Sequence, residues 1–186
     1  MIPPTPSRSP LRSALLCTLV TLVAAASLAA CVPAPAPTPT PTAAFASEEE
    51  AFAAAKEAFD HYVDALNTID TSNPETFEAL FDLSSGSVES ADRKNFSAMH
   101  AMGQVISGLT QVVSFEGISS EAPFDEIISA VCLDVSQVTI TNPDGSSAVN
   151  SDRPDIYALE VTFVADAGRI LVDSADSSDV VQCPAR

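Results

Sequence analysis

Tyr157-Ala158-Leu159-Glu160-Val161-Thr162-Phe163 is the stretch that decides the fold class. Large apolar side chains occupy every second position and alternate with small or polar ones, the period of a strand with one buried face. Wound as a helix, the same residues would scatter around its circumference and leave no continuous apolar stripe. Downstream, Asp166-Ala167-Gly168 turns the chain and Arg169–Val172 begins a last strand. Upstream, Asn142-Pro143-Asp144-Gly145 is a turn signal. Before it, residues 127–141 are rich in β-branched side chains and read as one long strand. Its alternation runs through Val131, Leu133 and Val135, then moves to Val138 and Ile140; that one-residue phase change predicts a bulge and a bend. In a first strand, Val113 and Phe115 share one face, with Ser114 and Glu116 opposite.

Before Gly108 the period is 3.6. Ser47 is placed to cap a helix, with Glu48, Glu49 and Glu50 in its first turn, where carboxylates favour the positive helix end. Glu50 three residues after Ser47 completes a capping box. Phe52, Ala55, Phe59, Tyr62, Val63, Leu66 and Ile69 then form one apolar face. Asp70-Thr71-Ser72-Asn73-Pro74 stops this helix and starts another, striped by Phe77, Leu80 and Phe81. A third helix is expected to begin near 87–90 and to bury Ala91, Met99, Met102 and Ile106.

Helices gathered first and strands gathered afterwards predict an α+β domain over 47–186, its N-terminal helices packed on a curved, antiparallel, four-stranded sheet. The order of three helices and then strands, with a long bent second strand, resembles the nuclear-transport-factor-2-like (SnoaL-like) roll over about residues 47–183. The likeness is topological. It implies a conical pocket between sheet and helices, in which the enzymes of that family place Asp, His or Tyr.

Candidates for such a pocket are His61, His100, Tyr62, Tyr157 and Asp134. His61 lies opposite the Phe52/Phe59/Leu66 stripe and faces water; His100 sits beside Met99 at the flank of the third helix. Tyr62 and Tyr157 fall among apolar neighbours and are expected to pack in the core with hydrogen-bonded hydroxyls. Asp134 interrupts an apolar strand; inside a pocket it would serve as a general base, but it shares parity with Cys132 and Ser136, away from the Leu133 face. Asp173, Asp176 and Asp179 recur every third residue without the alternating ligands and glycine turn of a calcium loop. Nucleophile-elbow, phosphate-cradling and His-Glu-x-x-His patterns do not occur. No cofactor, metal or catalytic residue is expected.

At the N-terminus, Arg8 and Arg12 precede an uncharged apolar run that ends in Leu28-Ala29-Ala30-Cys31. The run has signal-peptide length and is borderline short for a membrane-spanning helix. The tetrad resembles the lipobox of bacterial lipoproteins, which implies cleavage before Cys31 and lipidation of its thiol. A generic secretory peptide with an Ala-x-Ala site and an uncleaved anchor are the alternatives. Residues 1–30 are thus read as signal peptide and 31–46 as lipidated Cys31 with a proline-rich tether. Proline at every second position from Pro33 to Pro41 excludes helix and favours a polyproline II rod. At about 3.1 Å per residue, Val32 to Ala46 would reach roughly 45 Å.

The chain has 25 acidic against 8 basic side chains, a net charge of −17. Such a surface repels nucleic acid and anionic headgroups. Cys17 lies within the apolar run and would leave with it, and Cys31 is the lipid acceptor. Cys132 and Cys183 remain, an even pair in an oxidising compartment, and are expected to form a disulfide. The chain-entropy model gives roughly 4 kcal/mol for closing that loop. The combined expectation is an extracytoplasmic lipoprotein, lipid-anchored to the bacterial cell membrane. Its domain would be non-catalytic and would bind a small apolar ligand or an envelope protein, but not nucleic acid. A roll-type isomerase or hydrolase using Asp134 or His100, and a structural envelope role, are the alternatives.

Overall fold

A computed structural model describes residues 43–184. Cys31, the lipobox and nearly all of the expected tether lie outside those residues. The chain meets the domain ahead of the first helix: the Ala44 N–H donates to the Pro123 carbonyl at 2.9 Å, and Phe45 packs against the core.

Helix α1 spans Glu48–Leu66. The Ser47 hydroxyl accepts from the Glu50 N–H at 3.2 Å, while the Glu50 carboxylate reaches back to the Ala46 N–H at 2.9 Å. The reciprocal cap thus closes one residue further out than the usual box. Ala55, Phe59, Tyr62 and Val63 are buried as the spacing predicts, and Ala51 joins them; Phe52 and Leu66 are half-buried against the core, and Ile69 is buried but lies beyond the end of the helix. A 3-10 turn, Pro74–Phe77, leads into the short helix α2, Glu78–Phe81, and α3 follows over Gly86–Met102.

The sheet layer contains β2 (Gln111–Ser119), β3 (Glu126–Asp134), β5 (Ile156–Asp166) and β6 (Arg169–Ser177), antiparallel in the order β2-β3-β5-β6. Two further strands, β1 (Val105–Ser107) and β4 (Thr139–Thr141), pair in a separate two-stranded ribbon. The expected α+β architecture, with helices on a curved four-stranded sheet, is therefore present. Ile127, Ser129 and Val131 of β3 stand opposite Phe163, Val161 and Leu159 of β5 on the helix-facing side. There Phe59 makes an edge contact with Phe163 and a tilted one with Phe115, at centroid distances of 6.0 and 6.2 Å. Gly117 on β2 lies directly beneath the Phe52 ring, which a Cβ at that position would strike.

Three local expectations fail, each for a long-range reason. Residues 127–141 do not form one bent strand. The chain leaves the sheet after Asp134, and Thr139–Thr141 pairs with β1 instead, so the phase change marks a change of sheet rather than a bulge. Register shifts fall elsewhere, twice in β2 and once in the β5–β6 pairing; at the first, between Val112 and Ser114, the extra residue turns Val113 out to solvent while Val112 and Phe115 face the core. In α3 the buried residues are Val88 and Phe96, with half-buried Asp92 four residues from each; of the four expected, Met99 packs half-buried against the core, Ala91 and Met102 are exposed, and Ile106 packs against the core from β1.

Candidate functional site

Helix α1 ends at Asn67, whose backbone is still right-handed and whose side chain turns outward as a clasp. Its Oδ1 accepts the Thr110 N–H at 2.8 Å and its Nδ2 donates to the Thr110 carbonyl at 2.9 Å. The amide therefore satisfies both backbone groups of a residue just before β2, which a strand partner would otherwise have to do. Between Asn67 and Thr110 the chain passes Gly108 at φ +91°, with the Gln137 carbonyl so close that a Cβ would collide with it. The result is a mouth of about 400 Å³ between the end of α1 and the β1–β4 ribbon. Leu66 and Ile69 form one wall, Ile106 and Val138 the other, and Asn67, Ser107 and Thr110 supply neutral polar groups. A volume in this range suits a small organic ligand. Recognition here would rest on apolar contact with one or two hydrogen bonds.

A second polar feature lies inside the helix layer. The Tyr62 hydroxyl, on the core face of α1, donates to Asp92 Oδ2 of α3 at 2.8 Å. Burial pushes the Asp92 carboxyl up to about 6, against the downward pull of that hydrogen bond. Burial, then the Asp92 charge and the hydrogen bond, raise the Tyr62 phenol far above its ordinary value. The pair is thus a phenol–carboxyl contact in which the acid ionises near neutrality. Neither residue lines the mouth.

The residues singled out from sequence are dispersed. His61 is exposed on α1, as expected. His100 Nδ1 donates to the Thr71 carbonyl at 2.8 Å; the Thr71 hydroxyl in turn donates to the Gln104 carbonyl at 2.6 Å, so the imidazole fastens the end of α3. Tyr62 packs in the core with its hydroxyl bonded, whereas Tyr157 is half-buried and borders a concavity beside Arg153. Asp134 is half-buried, and its Oδ1 accepts the Ser136 N–H at 2.9 Å where the chain departs from the sheet. Asp173 accepts the Ser85 hydroxyl at 2.8 Å, and Asp176 and Asp179 are exposed; no metal-holding group of three or more ligands occurs among the described residues. Cys132 and Cys183 are joined by a disulfide, with Cα atoms 5.7 Å apart.

Asn67 and Asp92 escape the sequence reading. Asn67 reads as an ordinary helix end, and its partner stands 43 residues away. Asp92 has a signal, since it falls midway between Val88 and Phe96 at four-residue spacing, but an acid there argues against a buried face. One buried hydroxyl, Ser129 Oγ on the helix-facing side of β3, has no hydrogen-bond partner.

No protein-family model matches the sequence, and no curated protein matches it. Among solved structures the chain is similar to the intermembrane-space region of the chloroplast protein ARC6, with 8% identity and TM-score 0.49 over 68% of this chain and 95% of that one. It is similar also to Aln2 from a Streptomyces species, with 11% identity and TM-score 0.41 over 68% and 88%. A de novo designed β-sheet protein follows, with 16% identity and TM-score 0.35 over 74% and 98%. These are likenesses of chain path and say nothing about function. What stands is a small α+β domain with a roll-like fold, helices packed over an antiparallel sheet.

Proposed function

We propose that the chain is a membrane-anchored extracytoplasmic lipoprotein whose domain, a nuclear-transport-factor-2-like roll, is a non-catalytic module binding a small apolar ligand. The observation that carries the binding part is the lining of the mouth: four apolar side chains and three neutral hydrogen-bonding ones. The anchoring part is supported by Leu28-Ala29-Ala30-Cys31 and the proline-alternating segment after it. It is supported also by the Cys132–Cys183 disulfide, which belongs with an oxidising compartment. Two or more acyl chains on Cys31 would hold the protein stably at the membrane, where one would not.

Two measurements test these parts separately. Cells fed radiolabelled palmitate should label the wild-type chain and not the Cys31→Ala variant; a wild-type chain without label removes the anchor. For the mouth, the neutral fluorophore N-phenyl-1-naphthylamine should bind the full chain saturably, and Ile106→Trp or Ser107→Trp should abolish that binding with the circular dichroism unchanged. Saturable binding that survives both tryptophans would place the ligand elsewhere.

A further inference from the structure

A lateral groove lies between α1 and the β5–β6 hairpin and shares no lining residue with the mouth. It consists of two adjoining concavities of about 360 and 300 Å³ that share Gly168, Arg169 and Ile170. Ala54 and Ala58, one turn apart on α1, are small enough to let another backbone come close, and Leu83 and Ile170 add apolar surface. The far end is closed by Phe45 and Pro123. Such a continuous floor suits a length of chain more than a compact molecule.

Its rim is acidic. Glu57 of α1, Asp82 after α2 and Asp125 before β3 are all exposed along it. Among the described residues the ion pairs are Lys56–Asp60, Arg93–Glu78 and Arg93–Glu89, so these three carboxylates are left to solvent. The opposing cation is Arg169, whose Nη1 donates to the Asp82 carbonyl at 3.2 Å, and the exposed His61 imidazole lines the α1 side of the same concavity. One guanidinium against three carboxylates, on a chain of net charge −17, leaves the groove negative.

We infer that this groove docks a basic, apolar-anchored segment of another polypeptide, with apolar side chains on the Ala54/Ala58/Leu83/Ile170 floor and Lys or Arg at the rim. Charge complementarity selects the partner and the floor gives it a register. The inference stands on the groove alone and survives or fails independently of the lipid anchor and the mouth.

The test uses a capped dodecapeptide of alternating Leu and Lys, titrated into the full chain while amide and methyl NMR shifts are followed. Saturable shifts are expected at Ala54, Ala58, Leu83 and Ile170. Replacing Lys by Glu, or Leu by Ser, should weaken binding at least about tenfold. The triple variant Glu57→Gln, Asp82→Asn, Asp125→Asn should weaken it by about tenfold, about twofold for each exposed pair, and Arg169→Ser should tighten it by about threefold. Shifts spread over the acidic surface, equal binding by the triple variant, or a Ser/Lys peptide as good as the Leu/Lys one would each overturn the inference.

Discussion

The two faces of the four-stranded sheet are covered by different means. On the helix-facing side, Phe59, Val131, Val161 and Phe163 are sealed by side-chain packing, and removal of apolar area from water holds the layers together. On the outer side, Cys132 of β3 lies opposite Ala158 of β5 and is fully buried by a covalent link to Cys183. The chain after β6 thus returns across β5 and is tied down instead of being packed by a second layer of helices. A domain of this size has enough core to seal one face with helices. The other face is secured by restricting the unfolded chain.

The strongest way to break this contrast is Phe59→Ala, which removes the ring that touches Tyr62, Phe115 and Phe163 together. A loss of about 3–5 kcal/mol is expected in urea unfolding, a large share of the stability of a domain of this size. Cys132→Ser should act on the outer face and cost about 2–4 kcal/mol, leaving a Cys183 thiol that reacts with a thiol reagent. Its effect should vanish when both proteins are compared under strong reductant, whereas that of Phe59→Ala should persist. A folded wild-type domain that titrates with the reagent would show the bridge to be open.

The smallest effect sharpens the helix-facing side, where Tyr62 holds Asp92 between α1 and α3. Its folded pKa, about 6, lies above the ordinary carboxyl value of 3.8. The folded state therefore binds the proton more tightly, and the group favours folding below pH 4 and loses that contribution as pH rises through about 6. Asp92→Asn keeps an acceptor for the Tyr62 hydroxyl and carries no charge. It should be more stable than wild type at pH 7.5 by about 1 kcal/mol, a figure discounted because the carboxyl is part-exposed. The two proteins should converge at about pH 4. A constant difference across that window would mean that Asp92 is not the titrating group.

The same contrast explains what is legible in the residues. The Ser47 cap, most of the apolar face of α1 and the alternation through Leu159, Val161 and Phe163 are short-range patterns, and the structure keeps them, although Ile69 falls beyond the helix and Tyr157 is only half-buried. The pairing of Cys132 with Cys183 follows once Cys17 and Cys31 are set aside with the N-terminal segment, because two thiols then allow a single bridge. Periodicity misplaces the face of α3 because a carboxyl among apolar neighbours argues for exposure, until a phenol from another helix supplies its partner. The mouth is not legible at all, since it is made by an amide clasp and a glycine passage between distant segments.

The sequence by itself determined the α+β class, the Ser47 cap of the first helix, the turn residues and the even cysteine pair, because each depends on period, backbone preference or composition. Only the tertiary structure decided that β3 ends at Asp134, that Val113 is bulged outward, that Asp92 meets Tyr62 and that Asn67 holds Thr110. Those outcomes depend on which distant group arrives to satisfy a backbone or side-chain hydrogen bond, and local propensity contains no record of that arrival.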